Sequence, residues 1–496
     1  MRKSGVLLPV FSLPSKYGIG CFSKEAYQFV DFLAKAKQTY WQILPLGPTS
    51  FGDSPYQSFS IFAGNPYFIC LEDLVDEGLL TIKECEEVDF GTDKRVVNYE
   101  RLYQNRFTLL KKAYHRADLS KDNKYAKFTN ENAFWLDNYA LYMSVKNHFS
   151  DRSFDQWDNN IKMRSPEAIS YYEEKLADVI GFYKFLQYKF MVQWTNLKKY
   201  ANSKGIVIIG DIPIYVSYDS SDVWANPELF QLDTDKSLLS VAGCPPDGFS
   251  VDGQLWGNPI YDWDYHEKTG FAWWKLRMAK CKELYDVIRI DHFRGFDEYY
   301  SIPADSTSAV TGMWKPGPGM KLFHALKETL SGCSIIAEDL GFITDSVRQL
   351  VKDTGFPNMK VLEFAFDERD TGNRSEYLPH NYSQNCVVYT GTHDNETLMG
   401  WLDSITPYEY KSVKEYVDYQ GNDNSDLADR LICLAHSCIA DTCIIPFQDY
   451  LHLDNEARIN QPSTLGGNWV WRMQTEDMNE ALAQHIGSLT TLYQRA

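Results

Sequence analysis

The sequence lacks several features that would place it in other classes of protein. Its ten cysteines include no CxxC pair, and Cys433, Cys438 and Cys443 do not have the spacing of zinc ligands. No stretch approaches the ~20 consecutive apolar residues that a membrane-spanning helix needs. The N-terminal segment has only a short apolar stretch, which is broken at Pro9 and Pro14, and it has no clear small-residue cleavage site. We therefore expect reduced cysteines, no signal peptide and a cytoplasmic location.

An excess of positive charge is also absent. The formal net charge is -18, from 49 Lys and Arg against 67 Asp and Glu. Nucleic acids and anionic membranes both need basic surface, so this balance disfavours either as a partner and suits a neutral substrate. Aromatic residues, in contrast, make up 15% of the chain. Their rings serve core packing or sugar stacking, and composition alone favours packing.

Eight segments have the apolar, β-branched composition of buried parallel strands, and turn residues follow each of them. Helical patterns lie between most of these segments. Residues 23–37 follow the first strand and residues 344–353 follow the fifth, with Ser23 and Thr344 as predicted N-caps. Eight strands alternating with helices predict a (β/α)8 TIM barrel. The predicted strands are 5–10, 41–46, 206–216, 287–293, 335–340, 360–366, 386–392 and 442–447.

Two connections are too long for simple crossovers between strands. Residues 52–205, after the second strand, have a helical pattern, whereas residues 217–286, after the third, are rich in Gly, Pro, Asp and Trp. Long connections on a compact fold are usually lids or inserted subdomains. We predict one catalytic barrel over residues 1–496, with a mainly helical subdomain at 52–205 and a loop-rich insertion with an active-site flap at 217–286. No all-β domain is evident after the last strand.

Acidic residues end three of the predicted strands. Asp291 lies in VIRIDHF, Glu338 in IIAEDLG and Asp394 in VVYTGTHDN. The carboxyl ends of the strands of a parallel barrel share one face, and that face carries the chemistry. Three acids that converge there indicate chemistry at a glycosidic bond, which needs one carboxylate to attack and one to donate a proton.

The neighbours of these acids suggest how each would be tuned. Arg289 points to the same side of its strand as Asp291 and would hold it ionised, although a purely structural ion pair is the alternative. Glu338 follows a short apolar run, which would keep it protonated. Of the two adjacent acids, Asp339 fits a helix cap better than Glu338 does. Asp211, inside an apolar strand, is expected to pair with Arg289 or to contact substrate.

A metal site made of His292, His393 and nearby acids is the rival interpretation. No HxH or HExxH spacing supports it. A carboxylate pair can cleave a glycosidic bond without help, so we expect neither a metal nor a cofactor. In the carboxylate mechanism Asp394 could bind two adjacent sugar hydroxyls, and His393 could bind the same sugar.

The motifs IGDIPIYV, VIRIDHFRG, IIAEDLG and YTGTHDN resemble the four strand-end motifs of the α-amylase clan. The match is closer to one branch, the amylomaltases (4-α-glucanotransferases, glycoside hydrolase family 77). PLGPTSFGDSPYQSFSIFAGNP, PPDGFSVDGQLWGNPIYDW and RINQPSTLGGNWVWR resemble its substrate loop, active-site flap and C-terminal signature. The resemblance covers essentially the whole chain. It implies retaining transfer of an α-1,4-glucan segment from a maltodextrin to the 4-hydroxyl of another glucan or of glucose.

Carried over to this sequence, the resemblance makes Asp291 the nucleophile, Glu338 the acid/base and Asp394 the transition-state stabiliser. Phe51 lies where some relatives carry a tyrosine, and the missing hydroxyl puts a secondary glucan site there in doubt. The residues that the same motifs and loops imply for substrate binding are Asp211, Arg289, His292, His393, Ser54, Tyr56, Trp256, Asn460 and Asn468.

Two other functions remain open from the sequence alone. A hydrolase of the α-amylase clan would use the same three acids on maltodextrins and would raise the number of reducing ends steadily. A catalytically silent glucan-binding protein would leave the products unchanged. The lack of an evident all-β domain argues against the first, and the presence of all three acids argues against the second.

Overall fold

The computed structural model describes residues 2–50, 52–246, 252–341, 343–368 and 374–496. Strands and helices alternate along much of this chain. The strands are β1 (Lys3–Leu7), β2 (Tyr40–Gln42), β3 (Val207–Pro213), β4 (Ser240–Cys244), β5 (Gln254–Pro259), β6 (Val287–Asp291), β7 (Glu298–Pro303), β8 (Met313–Pro316), β9 (Ser334–Ala337), β10 (Asn358–Val361), β11 (Cys386–Tyr389) and β12 (Thr442–Pro446).

Eight parallel strands close into a barrel in the order β1-β12-β11-β10-β9-β6-β3-β2. Each of them lies within or overlaps one of the eight predicted segments, so the predicted TIM barrel is confirmed. The observed strands end earlier than predicted. The strand predicted at 287–293 stops at Asp291 because His292 adopts a left-handed conformation, with φ of 54°, and a 3-10 turn follows at Phe293–Phe296. In register, Arg289 lies beside Asp211 of β3.

The connection between β2 and β3 is mainly helical in the part of the chain that the structure describes. The longest helix, α9, packs against α6 and leads directly into β3. The helices of this connection are α2 (Leu71–Asp76), α3 (Ile82–Glu86), α4 (Tyr99–Arg116), α5 (Asn123–Glu131), α6 (Ala133–His148), α7 (Asn159–Lys162), α8 (Pro166–Lys175) and α9 (Ala177–Ser203).

The connection between β3 and β6 contains α10 (Ser221–Ala225), α11 (Trp263–Lys268) and α12 (Ala272–Leu284), together with β4 and β5. These two strands join β7 and β8 in a small antiparallel sheet, in the order β5-β4-β7-β8. The sequence pattern did not indicate this sheet, because its strands are short and because β4 pairs with β7, which follows β6 in the chain. The β4–β5 pairing also changes register between Val241 and Gly243. Of the predicted flap, residues 247–251 lie outside the described part of the chain.

The remaining helices surround the barrel and bury apolar residues against it. Thr344 caps α14 as predicted, since its hydroxyl accepts a hydrogen bond from Val347 N. The Ser23 hydroxyl, at the start of α1, instead donates to Ser15 Oγ at 2.7 Å and to Glu25 Oε2. These helices are α1 (Lys24–Lys35), α13 (Met320–Leu326), α14 (Asp345–Thr354), α15 (Leu398–Ser404), α16 (Pro407–Tyr416), α17 (Asn424–Ser437), α18 (Phe447–Tyr450) and α19 (Glu480–Leu492).

Side chains fill the interior of the barrel, as expected for a packed core. The inner cluster consists of Leu7, Ile209, Val287, Ile336, Met359, Val361, Val387, Tyr389 and Ile444. All ten cysteines are free thiols. None of the helices in the described residues is both long and apolar enough to cross a bilayer.

Candidate active site

The ion pair of Arg289 lies at the centre of the site. Arg289 Nη1 donates to Asp211 Oδ2 at 2.6 Å and to Asp291 Oδ1 at 3.1 Å. The Tyr56 hydroxyl donates to the same Asp211 oxygen at 2.8 Å. Arg289 and Asp211 are buried, whereas 28% of the Asp291 side chain is exposed. Asp211 therefore pairs with Arg289 beneath the surface of the site, and Asp291 faces the open space above it.

Two opposing effects set the protonation of Asp291. Burial raises the pKa of this carboxyl to about 6, the nearby charges of Asp211 and Asp394 act in the same direction, and Arg289 opposes them. The expected effect of Arg289 is present, but burial outweighs it. Asp291 is still largely ionised at neutral pH.

Glu338 directly follows the last residue of β9. Its Oε2 accepts a hydrogen bond from His292 N at 2.6 Å, and its Oε1 accepts one from Leu340 N at 2.8 Å. Burial raises the pKa of Glu338 to about 8, and the charge of Asp291 acts in the same direction, whereas Arg289 and the two N–H groups oppose the rise. Glu338 is therefore mostly protonated at neutral pH, whereas Asp291 is ionised. Acids whose environments push their pKa values apart are suited to separate acid and nucleophile roles.

The adjacent Asp339 has a different part in the structure. Its carboxylate accepts hydrogen bonds from Asn358 Nδ2 and from Met359 N, both at 3.0 Å. The helix-cap interpretation of Asp339 is wrong, because Thr344 caps α14. Asp339 instead ties the end of β9 to β10.

Asp394 lies in the loop after β11. Its Oδ1 accepts a hydrogen bond from Asn460 Nδ2 at 2.6 Å and lies 3.3 Å from His393 Nε2. Arg458 Nη2 donates to its main-chain oxygen at 2.8 Å. The Asp394 side chain is 42% exposed. It is therefore held on one side and remains open on the other.

Aromatic rings flank the acids on two sides. The rings of Tyr56 and His393 stack with centroids 5.2 Å apart, and Trp469 lies 5.9 Å and 6.0 Å from them. On the other side Trp256 meets His292 edge to face at 4.8 Å. Burial lowers the pKa of His292 to about 3 and also lowers the pKa of His393, so both imidazoles are neutral. Such flat apolar faces beside polar groups suit the binding of a sugar ring.

Two of the predicted residues shape the loops around the acids in this structure. Ser54 Oγ accepts a hydrogen bond from Tyr56 N at 3.3 Å. Asn468 accepts one from Gln461 N at 2.9 Å and donates to Thr464, so it folds the C-terminal loop on itself. Phe51 lies outside the described residues, so the prediction about a secondary glucan site there stays a prediction.

Sequence reasoning missed Arg458 and Trp469. Both stand in the segment RINQPSTLGGNWVWR, beside the predicted Asn460 and Asn468. Arg458 gave no sequence signal, because it binds the main-chain oxygen of Asp394 and not its carboxylate. Trp469 has φ of 63°, an unusual value that the sequence did not indicate.

No group of three or more His, Cys, Asp or Glu in the described chain is arranged to hold a metal ion. The site consists of one ionised acid, one protonated acid and a third open acid, at the carboxyl ends of barrel strands and between aromatic faces. This arrangement defines a carbohydrate-active enzyme that works with carboxylates.

Comparison with known proteins identifies the family. The profile of the 4-alpha-glucanotransferases, glycoside hydrolase family 77, matches residues 8–478. A 4-alpha-glucanotransferase from Clostridium butyricum is 49% identical over 487 residues, which are 98% of this chain and 99% of that protein. The chain belongs to this family.

Solved structures agree with this assignment. The amylomaltase from Streptococcus agalactiae in complex with acarbose is 44% identical, with a TM-score of 0.96 and full coverage of both chains. The amylomaltase from Corynebacterium glutamicum shares the fold at 18% identity and a TM-score of 0.79, over 99% of this chain and 75% of that one. Glucan transfer is therefore favoured over the hydrolase alternative.

Proposed function

We propose that this enzyme transfers a segment of an α-1,4-glucan from a maltodextrin donor to the 4-hydroxyl of an acceptor glucan or of glucose. The observation that carries this proposal is the contrast between the surroundings of two neighbouring acids. Asp291 pairs with Arg289 at 3.1 Å, whereas Glu338 is held by the N–H groups of His292 and Leu340, and burial raises its pKa to about 8, above that of Asp291. A retaining double displacement needs one ionised and one protonated acid in the resting enzyme.

In the first step, Asp291 attacks the anomeric carbon while Glu338 gives its proton to the bridging oxygen. The glycosidic bond breaks, the leaving glucan departs with a new hydroxyl, and the donor segment is joined to Asp291 by an ester bond. In the second step, the ionised Glu338 takes the proton from the acceptor 4-hydroxyl. The oxygen of that hydroxyl displaces Asp291, and the α-linkage is restored.

Asp394 is proposed to bind hydroxyls of the sugar that is being transferred. Its open side chain and its hydrogen bond from Asn460 support this role, because a carboxylate held beside the sugar ring would stabilise the positive charge that develops there in the transition state. His393 is buried next to it and is proposed to bind the same sugar.

The two insertions are proposed to supply the walls of the substrate site. Ser54 and Tyr56 come from the insertion at 52–205, and Trp256 comes from the insertion at 217–286. Tyr56 contacts Asp211, and Trp256 contacts His292 next to the nucleophile. Asn460 contacts Asp394 from the loop after α18, and Asn468 folds the same loop through Gln461 N. These walls would hold an acceptor and exclude water from the covalent intermediate.

Incubation with maltotriose tests the transfer reaction directly. We expect a ladder of longer and shorter maltodextrins with release of glucose, while the total number of reducing ends stays constant. Chain lengths are followed by chromatography and reducing ends by a colorimetric assay in the same samples. A steady rise in reducing ends would indicate hydrolysis, and an unchanged maltotriose pool would indicate a silent binding protein.

The pH dependence of kcat/KM for maltotriose follows from the two pKa values. Below about 6 Asp291 takes up a proton and can no longer attack, and above about 8 Glu338 loses the proton that it must donate. We expect a bell-shaped profile with a plateau between these limbs and a roughly tenfold loss per pH unit beyond them. A profile without an alkaline limb below the pH at which the protein unfolds would contradict the role of Glu338.

A further inference from the structure

The loop that carries Asp394 is anchored at both ends by one buried carboxylate. Asp449, in α18 directly after β12, accepts a hydrogen bond from Thr390 Oγ1 at 2.6 Å through Oδ2. Through Oδ1 it accepts one from Leu398 N at 2.8 Å. Thr390 comes immediately after β11 and Leu398 is the first residue of α15, so the two partners bracket residues 391–397. We call residues 390–398 the Asp394 loop.

Within this loop the chain is folded by short-range contacts. Asn395 Oδ1 accepts hydrogen bonds from Thr392 N at 2.9 Å and from Thr392 Oγ1 at 2.8 Å. Asp394 N donates to Thr392 Oγ1 at 3.3 Å. These contacts fix the shape of the turn but not its position on the barrel. That position depends on the anchors at the two ends, on Arg458 and Asn460, and on Asn455, which accepts from Thr397 N at 3.3 Å and donates to Glu396 at 2.7 Å.

Asp449 cannot reach a sugar itself, because only 1% of the residue is exposed. Both of its partners donate hydrogen bonds, one from a backbone N–H and one from a hydroxyl. A carboxylate can accept both at once, because each of its two oxygens accepts one of them. An asparagine would keep the acceptor for Leu398 N and would leave Thr390 to reverse its hydroxyl. An alanine would leave both donors without this partner.

We propose that Asp449 is a positioning residue for catalysis, which holds the Asp394 loop so that the Asp394 carboxylate meets the transition state. This inference rests on the proposed role of Asp394. A misplacement of about 1 Å of a catalytic group can cost about 100-fold in rate, although the group remains present. The effect of Asp449 should therefore be seen mainly in kcat.

The test compares Asp449→Ala, Asp449→Asn and Thr390→Val on maltotriose. We expect kcat to fall about 100-fold in the alanine variant and about tenfold in the other two, while KM changes by less than about threefold. The partial effect of asparagine and of Thr390→Val keeps the test informative if the alanine variant folds poorly.

Glu409→Ala serves as the matched control for lost stability. Glu409 is also buried, and its carboxylate also accepts two backbone N–H bonds, from Glu368 at 2.9 Å and from Thr406 at 2.8 Å, at the start of α16. We expect this variant to lower Tm as much as the Asp449 variants do and to keep its kcat. An equal fall of kcat in the control would overturn the positioning role.

A double-mutant cycle separates this inference from the proposed function. If Asp449 acts through Asp394, then Asp449→Ala should cost less than about threefold in kcat when it is added to Asp394→Ala. A full and independent penalty in that background would overturn the positioning role. An Asp394→Ala variant with unchanged kcat would instead contradict the proposed role of Asp394 itself.

Discussion

Replacement of Asp291 by asparagine is expected to lower kcat for glucan transfer by about 10,000-fold or more, since loss of the nucleophile in a covalent mechanism removes a step that no other group replaces. The amide has nearly the same size and can keep its hydrogen bond with Arg289, which in the native enzyme is 3.1 Å long. The loss should therefore be chemical rather than structural. Transfer from maltotriose, measured at enzyme concentrations high enough to detect a single turnover, checks this expectation.

Asp286→Asn is a suitable control for Asp291→Asn. Asp286 lies at the other end of the same strand, where its Oδ2 accepts hydrogen bonds from Ile208 N at 2.9 Å and from Asn202 Nδ2 at 2.8 Å. This variant should lose some stability and keep its activity. If Asp291→Asn kept more than about a hundredth of the native kcat, a covalent mechanism through Asp291 would be wrong.

Replacement of Glu338 by glutamine is expected to affect donors differently according to their leaving group. With maltotriose the rate should fall by at least about 1,000-fold, because the leaving oxygen no longer receives a proton. With an α-maltosyl fluoride donor the first step should remain fast, because fluoride leaves without protonation. The second step still lacks its base, so the sugar should accumulate on Asp291. Intact-protein mass spectrometry would detect the added mass.

The neighbouring residue provides the control for this variant. Asp339→Asn changes an acid next in sequence, which is tied to β10 and does not face the site. It should keep activity with both donors. If the first step of Glu338→Gln, followed as fluoride release, slowed as much as cleavage of maltotriose does, Glu338 would not act as the general acid.

The barrel and its three acids were predictable because their signals are local. A buried parallel strand is apolar on both faces, so runs such as those at β6 and β12 stand out, and an acid at the end of such a run has no structural reason to be there. The ends of the strands were less predictable. β6, for example, ends because His292 adopts a left-handed conformation, and the apolar pattern of the sequence does not indicate that change.

The parts that were not predicted depend on contacts between distant segments. The sheet β5-β4-β7-β8 joins two strands that precede β6 in the chain with two that follow it. Its strands are too short to show a clear alternation of apolar and polar residues. Asp449 is one acid among many in the sequence, and only the folded chain brings it to Thr390 and Leu398. The pKa of Asp291 likewise depends on how deeply its own carboxyl is buried and on the charge of Arg289 beside it, and both are properties of packing.

In the proposed mechanism the charge balance around Arg289 changes during the reaction. In the resting enzyme one guanidinium faces two carboxylates, Asp211 and Asp291, at 2.6 Å and 3.1 Å. When Asp291 becomes an ester it loses its charge, and Arg289 then matches Asp211 alone. In the covalent intermediate the charges of Arg289 and Asp211 therefore cancel. Without Asp211, formation of the ester would have left Arg289 as an unpaired buried cation. Such neutrality would lengthen the lifetime of the intermediate and give a slowly diffusing glucan time to replace the departed one.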